Sequence, residues 1–246
     1  MKIASAQMNP KQGDIIYNLQ EHYQLVELAI KNGVDLIVFP EMSITGYFTK
    51  PSKKLLFTEN DSRIEELMDL SVNGKIIIIV GVPIIINSNI HIGEFIIFPN
   101  GSLSIYSKQF LHIGEEKYFK PSMTYNLIIN IANQKISLAI CADINNLDHA
   151  ENAYKLDSTI YIASIFYTFT AIEEAYNLLN NYSRKFSMNV VMANYCGNYC
   201  DKKSGGNSAL WSKDGRLISA LDSLSTGLVI GDFYRNNISG IVIKEE

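Results

Sequence analysis

The sequence predicts an α/β fold in which two sheets each carry helices on an outer face. Three observations point there. Apolar residues step at helical spacing near the start of the chain, and short runs rich in Ile, Val and Leu recur at strand length along all of it. Strand–helix–strand units stand at both ends of a strand-rich middle, which suggests two sheets rather than one. With 246 residues, 47% of them hydrophobic, the chain has enough apolar material for a core that needs no disulfide or metal staple. One domain over residues 1–246 is the expected organisation.

Lys2–Met8 alternates as a first strand and is closed by Asn9-Pro10. Ile16, Leu19, Tyr23, Val26 and Ile30 then place one apolar stripe on a helix that ends at Asn32-Gly33, where glycine can take a left-handed cap. Asp35–Phe39, apolar after its first residue, has the length of a strand buried on both faces. Ser62-Arg63-Ile64-Glu65 has capping-box spacing and opens a second helix, which ends near Asn73-Gly74. In the middle, Ile76–Val80, Pro83–Ile86, Ile90–Pro99 and Ser102–Ser107 are strand-like, the last two joined by a turn at Pro99-Asn100-Gly101. Ile136–Ile140 is another buried strand. A polar helix at about 147–156, a strand at 158–164, a helix near 171–188 and a strand at 189–195 follow. The chain returns to hairpins in Ala209–Ser212, Arg216–Leu221 and Leu228–Phe233, with a turn at Lys213-Asp214-Gly215.

Composition excludes several functions. A formal net charge of -4 gives no basic footprint for nucleic acid. The longest strongly apolar stretch, Ile76–Ile86, is broken by Gly81 and Pro83 and is too short to span a bilayer, so no membrane partner is expected. Residues 1–30 lack a signal pattern, so the mature chain is expected to begin at Met1 in the cytoplasm. Three cysteines make an odd number for a disulfide framework and fit a reducing compartment. Cys196 and Cys200 have no matching Cys or His pair, so no metal is expected there.

Three polar groups end or follow apolar runs. Glu41 comes after Leu36-Ile37-Val38-Phe39-Pro40, at the C-terminal edge of a strand, where open α/β sheets collect ligands. A solvated loop glutamate is its plainer reading. Lys108 follows Leu103–Ser107, with Glu115 and Glu116 seven and eight residues further on, and by itself reads as surface charge. Cys141 ends the run Ser137-Leu138-Ala139-Ile140, and either fills the core or leaves the sheet at a tight turn with its sulfur exposed. A reactive thiol there needs a base to take its proton and a cation to favour the thiolate. Glu41 and Lys108 are residues of those two types.

In this order, Phe39-Pro40-Glu41, Ser107-Lys108-Gln109-Phe110-Leu111 and Ile140-Cys141-Ala142-Asp143 resemble the Glu, Lys and Cys motifs of the nitrilase superfamily of carbon–nitrogen hydrolases. Lys2–Met8, Tyr118-Phe119-Lys120-Pro121, and Gly206-Asn207-Ser208-Ala209 with Asp214-Gly215 are similar to further segments of that family, so the resemblance runs from about residue 2 to about residue 233. It implies a four-layer α-β-β-α sandwich, the nitrilase-like fold, and a Cys-Glu-Lys site that works without metal or cofactor. Cys141 would be the nucleophile, and Glu41 the general base that later returns the proton. Lys108 would stabilise the oxyanion together with the backbone N–H of Ala142. A supporting glutamate after the lysine is also implied, and counting along the chain favours Glu115 over Glu116. So is a homodimer or higher homo-oligomer, formed through the helix after the nucleophile region.

Two departures from the family bear on substrate. Ala142 stands where an aromatic residue is common, and Ile144-Asn145-Asn146-Leu147 replaces an Arg-Phe-Pro-Glu-like stretch. No cation lies between Cys141 and Lys155, so a carboxylate near the reacting carbon would meet Asp143 and Asp148, unless Arg184, Lys185, Lys202 or Lys203 arrives from a distant loop. The expected function is a stand-alone hydrolase that cleaves the non-peptide carbon–nitrogen bond of a small-molecule amide, neutral around its scissile bond, in preference to a nitrile or a carbamoyl amino acid. A glutaminase feeding a synthetase would need a further domain. Rival functions are a soluble amide acyltransferase on the same site, a non-catalytic binding protein of the same fold, and a Cys-His enzyme using His112 or His149.

Overall fold

The computed structural model describes residues 1–124, 127–234 and 237–244. The chain opens with β1 (Lys2–Gln7), α1 (Ile15–Lys31), β2 (Leu36–Val38) and α2 (Glu65–Gly74), then runs through β3 (Ile77–Ile86), β4 (Asn89–Ile97) and β5 (Leu103–Ser107). Next come β6 (Ile128–Ile131), β7 (Gln134–Ile140), α3 (Leu147–Lys155), β8 (Ile160–Ser164), α4 (Ile172–Phe186) and β9 (Asn189–Ala193). A two-stranded ribbon of β10 (Asn198–Tyr199) and β11 (Lys202–Lys203) precedes β12 (Ala209–Trp211), β13 (Leu217–Ala220), β14 (Gly227–Tyr234) and β15 (Asn237–Lys244).

Two sheets result, ordered β15-β14-β1-β2-β3-β4-β5 and β13-β12-β9-β8-β7-β6. In the first, β1, β2 and β3 are parallel; in the second, β7, β8 and β9 are. Parallel neighbours require crossovers, and α1 and α2 serve the first sheet as α3 and α4 serve the second. The alternation of side chains along each strand sorts the core. Ile37, Ile78 and Val80 pack with Leu25, Val26 and Leu67 of α1 and α2. Their chain neighbours Val38 and Ile79, with Ile96 of β4, share a cluster with Leu138 and Ile162 of the other sheet that continues to Ala150 and Leu179 on α3 and α4. The order helix, sheet, sheet, helix is the expected α-β-β-α sandwich.

Several boundaries differ from the sequence reading. Ile16 is 75% exposed, and the buried face of α1 instead includes Asn18, Leu19, His22, Val26 and Ala29. Two polar side chains turn the helix that way. Asn18 bonds Lys11 and the carbonyl of Ile44, and the His22 ring bonds Ser43 Oγ at 2.9 Å. The second helix is entered through a 3-10 turn at Ser62–Ile64 capped by Asp61, which accepts from the Arg63 N–H, so Ser62 is not the cap. Ile76–Val80 and Pro83–Ile86 form one strand, because antiparallel pairing with β4 runs from Ile78 to Ile86 without a break. β6 and β15, both at sheet edges, are strands the sequence reading does not anticipate. Among the described residues no helix is long and apolar enough to cross a membrane.

Candidate active site

Glu41 lies in a tight turn just past β2. The turn sits directly on Gly81 of β3, where an added Cβ would come within 2.3 Å of the Met42 nitrogen and 2.7 Å of the Pro40 oxygen. Met42 takes a left-handed φ of 48°, and the hydroxyl of Tyr195, from the other sheet, donates to the Glu41 carbonyl at 2.7 Å. The Glu41 side chain is thereby fully buried. Lys108 extends β5 by one residue, its N–H bonding the Ile92 carbonyl at 2.9 Å. Its ammonium donates to Glu41 Oε1 at 2.7 Å and to both oxygens of Glu115 at 2.9 and 3.0 Å. Glu115 opens a 3-10 turn after Gly114, whose φ of 98° suits glycine, and also accepts from Tyr47 OH at 2.9 Å and the His112 N–H at 2.8 Å.

Cys141 follows β7 and begins a 3-10 turn over Cys141–Asn145. Its φ of 44° is left-handed, a conformation that costs a non-glycine residue about 1 kcal/mol or more and needs support from its surroundings. Asp143 supplies that support. One oxygen accepts from the N–H groups of Gln109 and Phe110, next to Lys108, and the other from Ile140 N–H and Tyr106 OH. The same carboxylate therefore holds the cysteine turn and the lysine segment together. The Cys141 thiol reaches towards the Phe166 carbonyl at 3.9 Å, and the N–H of Ala142, in the first turn of this helix, has no intrahelical acceptor.

The electrostatics follow from burial and from each group's neighbours. Burial raises the Glu41 carboxyl, Lys108 opposes it and Glu115 reinforces it, leaving a pKa of about 7. Burial also raises the Cys141 thiol well above its ordinary range, with Glu41 adding to the rise and Lys108 opposing it. Burial would lower Lys108, but Glu41, Cys141 and Glu115 together hold it above its ordinary value, so it stays charged. Oε1 of Glu41 is held by Lys108, while Oε2 has no hydrogen-bond partner.

A cavity of about 230 Å³ opens over this cluster, lined by Glu41, Glu115 and Cys141 with Tyr47, Asn145, Phe166, Tyr167, His112, Thr168, Ala171, Glu174 and Lys202. The structure thus brings together Glu41, Lys108, Cys141 and Glu115. Glu116 does not join them: it is exposed and accepts from the Gly114 N–H at 2.6 Å. The two adjacent residues diverge in the 3-10 turn Glu115–Lys117. Asp143 does not face the cavity either, since its oxygens are taken up by the donors named above. His149 lies buried between Tyr106 OH at 2.8 Å and Tyr161 OH at 2.7 Å, away from the thiol. Asp143, Tyr47 and Tyr195 are supporting residues that sequence reasoning did not single out. For Asp143 a signal existed, an acid two residues past the cysteine beside an apolar strand; for the tyrosines there was none.

A buried Cys, Glu and Lys gathered at the strand ends of an α-β-β-α sandwich define a hydrolase of the nitrilase superfamily. The model of the Carbon-nitrogen hydrolase family matches residues 2–241, and the chain belongs to that family, which acts on carbon–nitrogen bonds other than peptide bonds. An amidase from Nesterenkonia sp. AN1 superposes with a TM-score of 0.83 at 18% identity, over 96% of this chain and 93% of that one. A glutamine-dependent NAD(+) synthetase from Acinetobacter baylyi is 25% identical over 94% of this chain, and a protein N-terminal amidase from Schizosaccharomyces pombe is 30% identical over 60% of it. The chain spans 44% and 57% of the lengths of those two relatives.

Proposed function

We propose that the protein hydrolyses a small amide, neutral around its scissile bond, through a covalent acyl-enzyme on Cys141. The observation that carries this is the placement of Glu41: one oxygen of the buried carboxylate is fixed by Lys108, and the carboxylate stands beside the Cys141 thiol, whose interaction favours its charged form, so it is set to take the thiol proton. Glu41 takes the thiol proton as sulfur attacks the amide carbon. The oxyanion is held by the Lys108 ammonium and the Ala142 N–H, and Glu41 returns the proton to the leaving nitrogen. Water then attacks the thioester carbon and gives its proton to Glu41; the C–S bond breaks, the acid leaves, and Glu41 returns the proton to the Cys141 sulfur. Glu115 keeps Lys108 in place and charged.

The test is a matched panel of amide, nitrile and N-carbamoyl substrates scored by ammonia or amine release, with Cys141→Ala as the blank. Fastest turnover of the N-carbamoyl amino acid or the nitrile overturns the amide reading; turnover surviving in Cys141→Ala overturns the nucleophile. One observation favours a second reading, in which the released nitrogen is passed to a synthetase: the match to the glutamine-dependent relative covers 94% of this chain. Ammonia release that rises on adding such a partner would support it.

A further inference from the structure

His149, the third residue of α3, is buried close to the segment that carries the nucleophile, and no step of the reaction above uses it. Tyr106, Phe110 and Tyr161 stand nearly perpendicular to its ring, with centroids at 6.5, 6.3 and 5.7 Å, and hold the imidazole in one orientation. In that orientation Nε2 meets Tyr106 OH at 2.8 Å and Nδ1 meets Tyr161 OH at 2.7 Å.

Counting protons gives each of these bonds a direction. The Tyr106 hydroxyl has a single proton and donates it to Asp143 Oδ2 at 2.7 Å, so its oxygen is left to accept. Nε2 of His149 must therefore carry hydrogen. Burial lowers the imidazole below its ordinary value, against a weaker opposite pull from Asp143, so the ring is neutral and Nδ1 is bare. Bare Nδ1 accepts from Tyr161 OH. One ordered relay results: Tyr161 to His149, His149 to Tyr106, Tyr106 to Asp143. The opposite tautomer would accept at Nε2 and compete with Asp143 for the Tyr106 proton.

Asp143 is where this order meets the chemistry. Its Oδ2 also accepts from the Ile140 N–H at 2.9 Å, and its Oδ1 from the N–H groups of Gln109 and Phe110 at 2.9 and 2.8 Å. It thus ties the left-handed turn at Cys141 to the segment after Lys108. We infer that His149 is a positioning residue for the acyl-transfer site: its Nε2–H keeps the Tyr106 proton on Asp143 and, through that carboxylate, fixes Cys141 and Lys108 relative to each other. It acts through Tyr106 and Asp143 and does not line the cavity. This rests on the amidase reading above and adds a residue that sets the rate from outside the pocket.

The tautomer is read on the unaltered protein at about pH 7, from an imidazole proton–nitrogen correlation spectrum that four histidines keep simple. Loss of signals in His149→Gln assigns them. Nε2 protonated and Nδ1 bare is the expected state; a proton on Nδ1, alone or with Nε2, overturns the inference. Function is read on His149→Leu, which has no donor, and on His149→Gln, whose amide nitrogen can reach the Nε2 position and donate. His149→Leu is expected to lower kcat by about 10- to 100-fold with KM within about twofold, and to slow iodoacetamide alkylation of Cys141 relative to Cys200 by a similar factor. His149→Gln should recover at least about a third of the unaltered kcat and alkylation rate. Rates unmoved in His149→Leu, with or without a loss in Tm, overturn the inference, and so does His149→Gln performing no better than His149→Leu. Should His149→Leu fail to fold, the tautomer and the His149→Gln rates decide. An unaltered protein that cleaves no amide, while alkylation of its Cys141 still depends on His149 in this way, overturns the amidase reading and leaves the positioning role standing.

Discussion

Replacing Glu115 with glutamine keeps its shape and removes its charge. The carboxylate accepts from Lys108 on both oxygens, from Tyr47 OH on one and from the His112 N–H on the other. An amide has a single acceptor oxygen, so whichever way it turns, its NH2 group faces the Lys108 ammonium, donor against donor. The Tyr47 hydroxyl can rotate to accept; the ammonium cannot. Removing one partner from a buried charge cluster costs about 3–5 kcal/mol of stability, or roughly 10 °C in Tm for a chain of this size. If Lys108 also shifts from the position where it meets the oxyanion, kcat falls by about 10²–10³. The assay is steady-state ammonia release with thermal unfolding measured on the same samples. Glu116→Gln is the control, expected within about 0.5 kcal/mol and about twofold in kcat, because its carboxylate bonds only a local N–H at the surface. A Glu115→Gln enzyme that keeps more than about a third of its turnover, or that loses no more than the control, refutes the reasoning.

Three further outcomes are expected. With Glu41 as base and a pKa of about 7, kcat/KM should rise through about pH 7 from the acid side, and Glu115→Gln should move that limb to lower pH, since Glu115 is one of the groups that raises Glu41; an unmoved limb counts against Glu41. Glu94 is fully buried, and burial, only partly opposed by Ser164, raises it to about 8, so its contribution to stability is full below the ordinary carboxyl value of 4.5 and is lost as pH rises through about 8. Glu94→Gln should therefore gain in Tm relative to the parent between about pH 5 and about pH 8, and a constant difference would show that Glu94 does not titrate there. Cys200 is exposed while burial pushes the Cys196 thiol up to about 11, so iodoacetamide should label Cys200 quickly with no loss of activity. Inactivation should follow labelling of Cys141 alone, as peptide mapping would show.

Glu41 and Cys141 were legible as candidates because each follows an apolar run that becomes a strand ending near the cavity, whereas Lys108, after Leu103-Ser104-Ile105-Tyr106-Ser107, stood out only through its resemblance to the family motif. Glu115 over Glu116 was also legible by counting, while the 3-10 turn after Gly114 that separates the two directions was not. The face of α1 was hidden because Asn18 and His22 are buried through bonds to residues up to 26 positions away, which no local periodicity encodes. β15 was hidden by Ser239-Gly240 in its middle, and it adds to the sheet through residue-by-residue pairing with β14. The approach of Lys202 to the cavity depends on the placement of a two-residue ribbon, and nothing in its hydrophobic pattern sets that.

The proposed nucleophile and its proposed base come from different sheets: Glu41 and Lys108 follow strands of one, and Cys141 follows a strand of the other. The gap between attacking atom and proton acceptor is therefore a measurement of how the two sheets seat on each other. Side chains at that seam, such as Ile96 and Leu138, act as shims. Trimming one lets the sheets settle closer by a fraction of an ångström, and reaction rates fall about 10²-fold for a displacement near 1 Å. Turnover in this molecule thus reports on interior packing beside the melting temperature, and drift at the seam registers as slowed chemistry as well as lost stability.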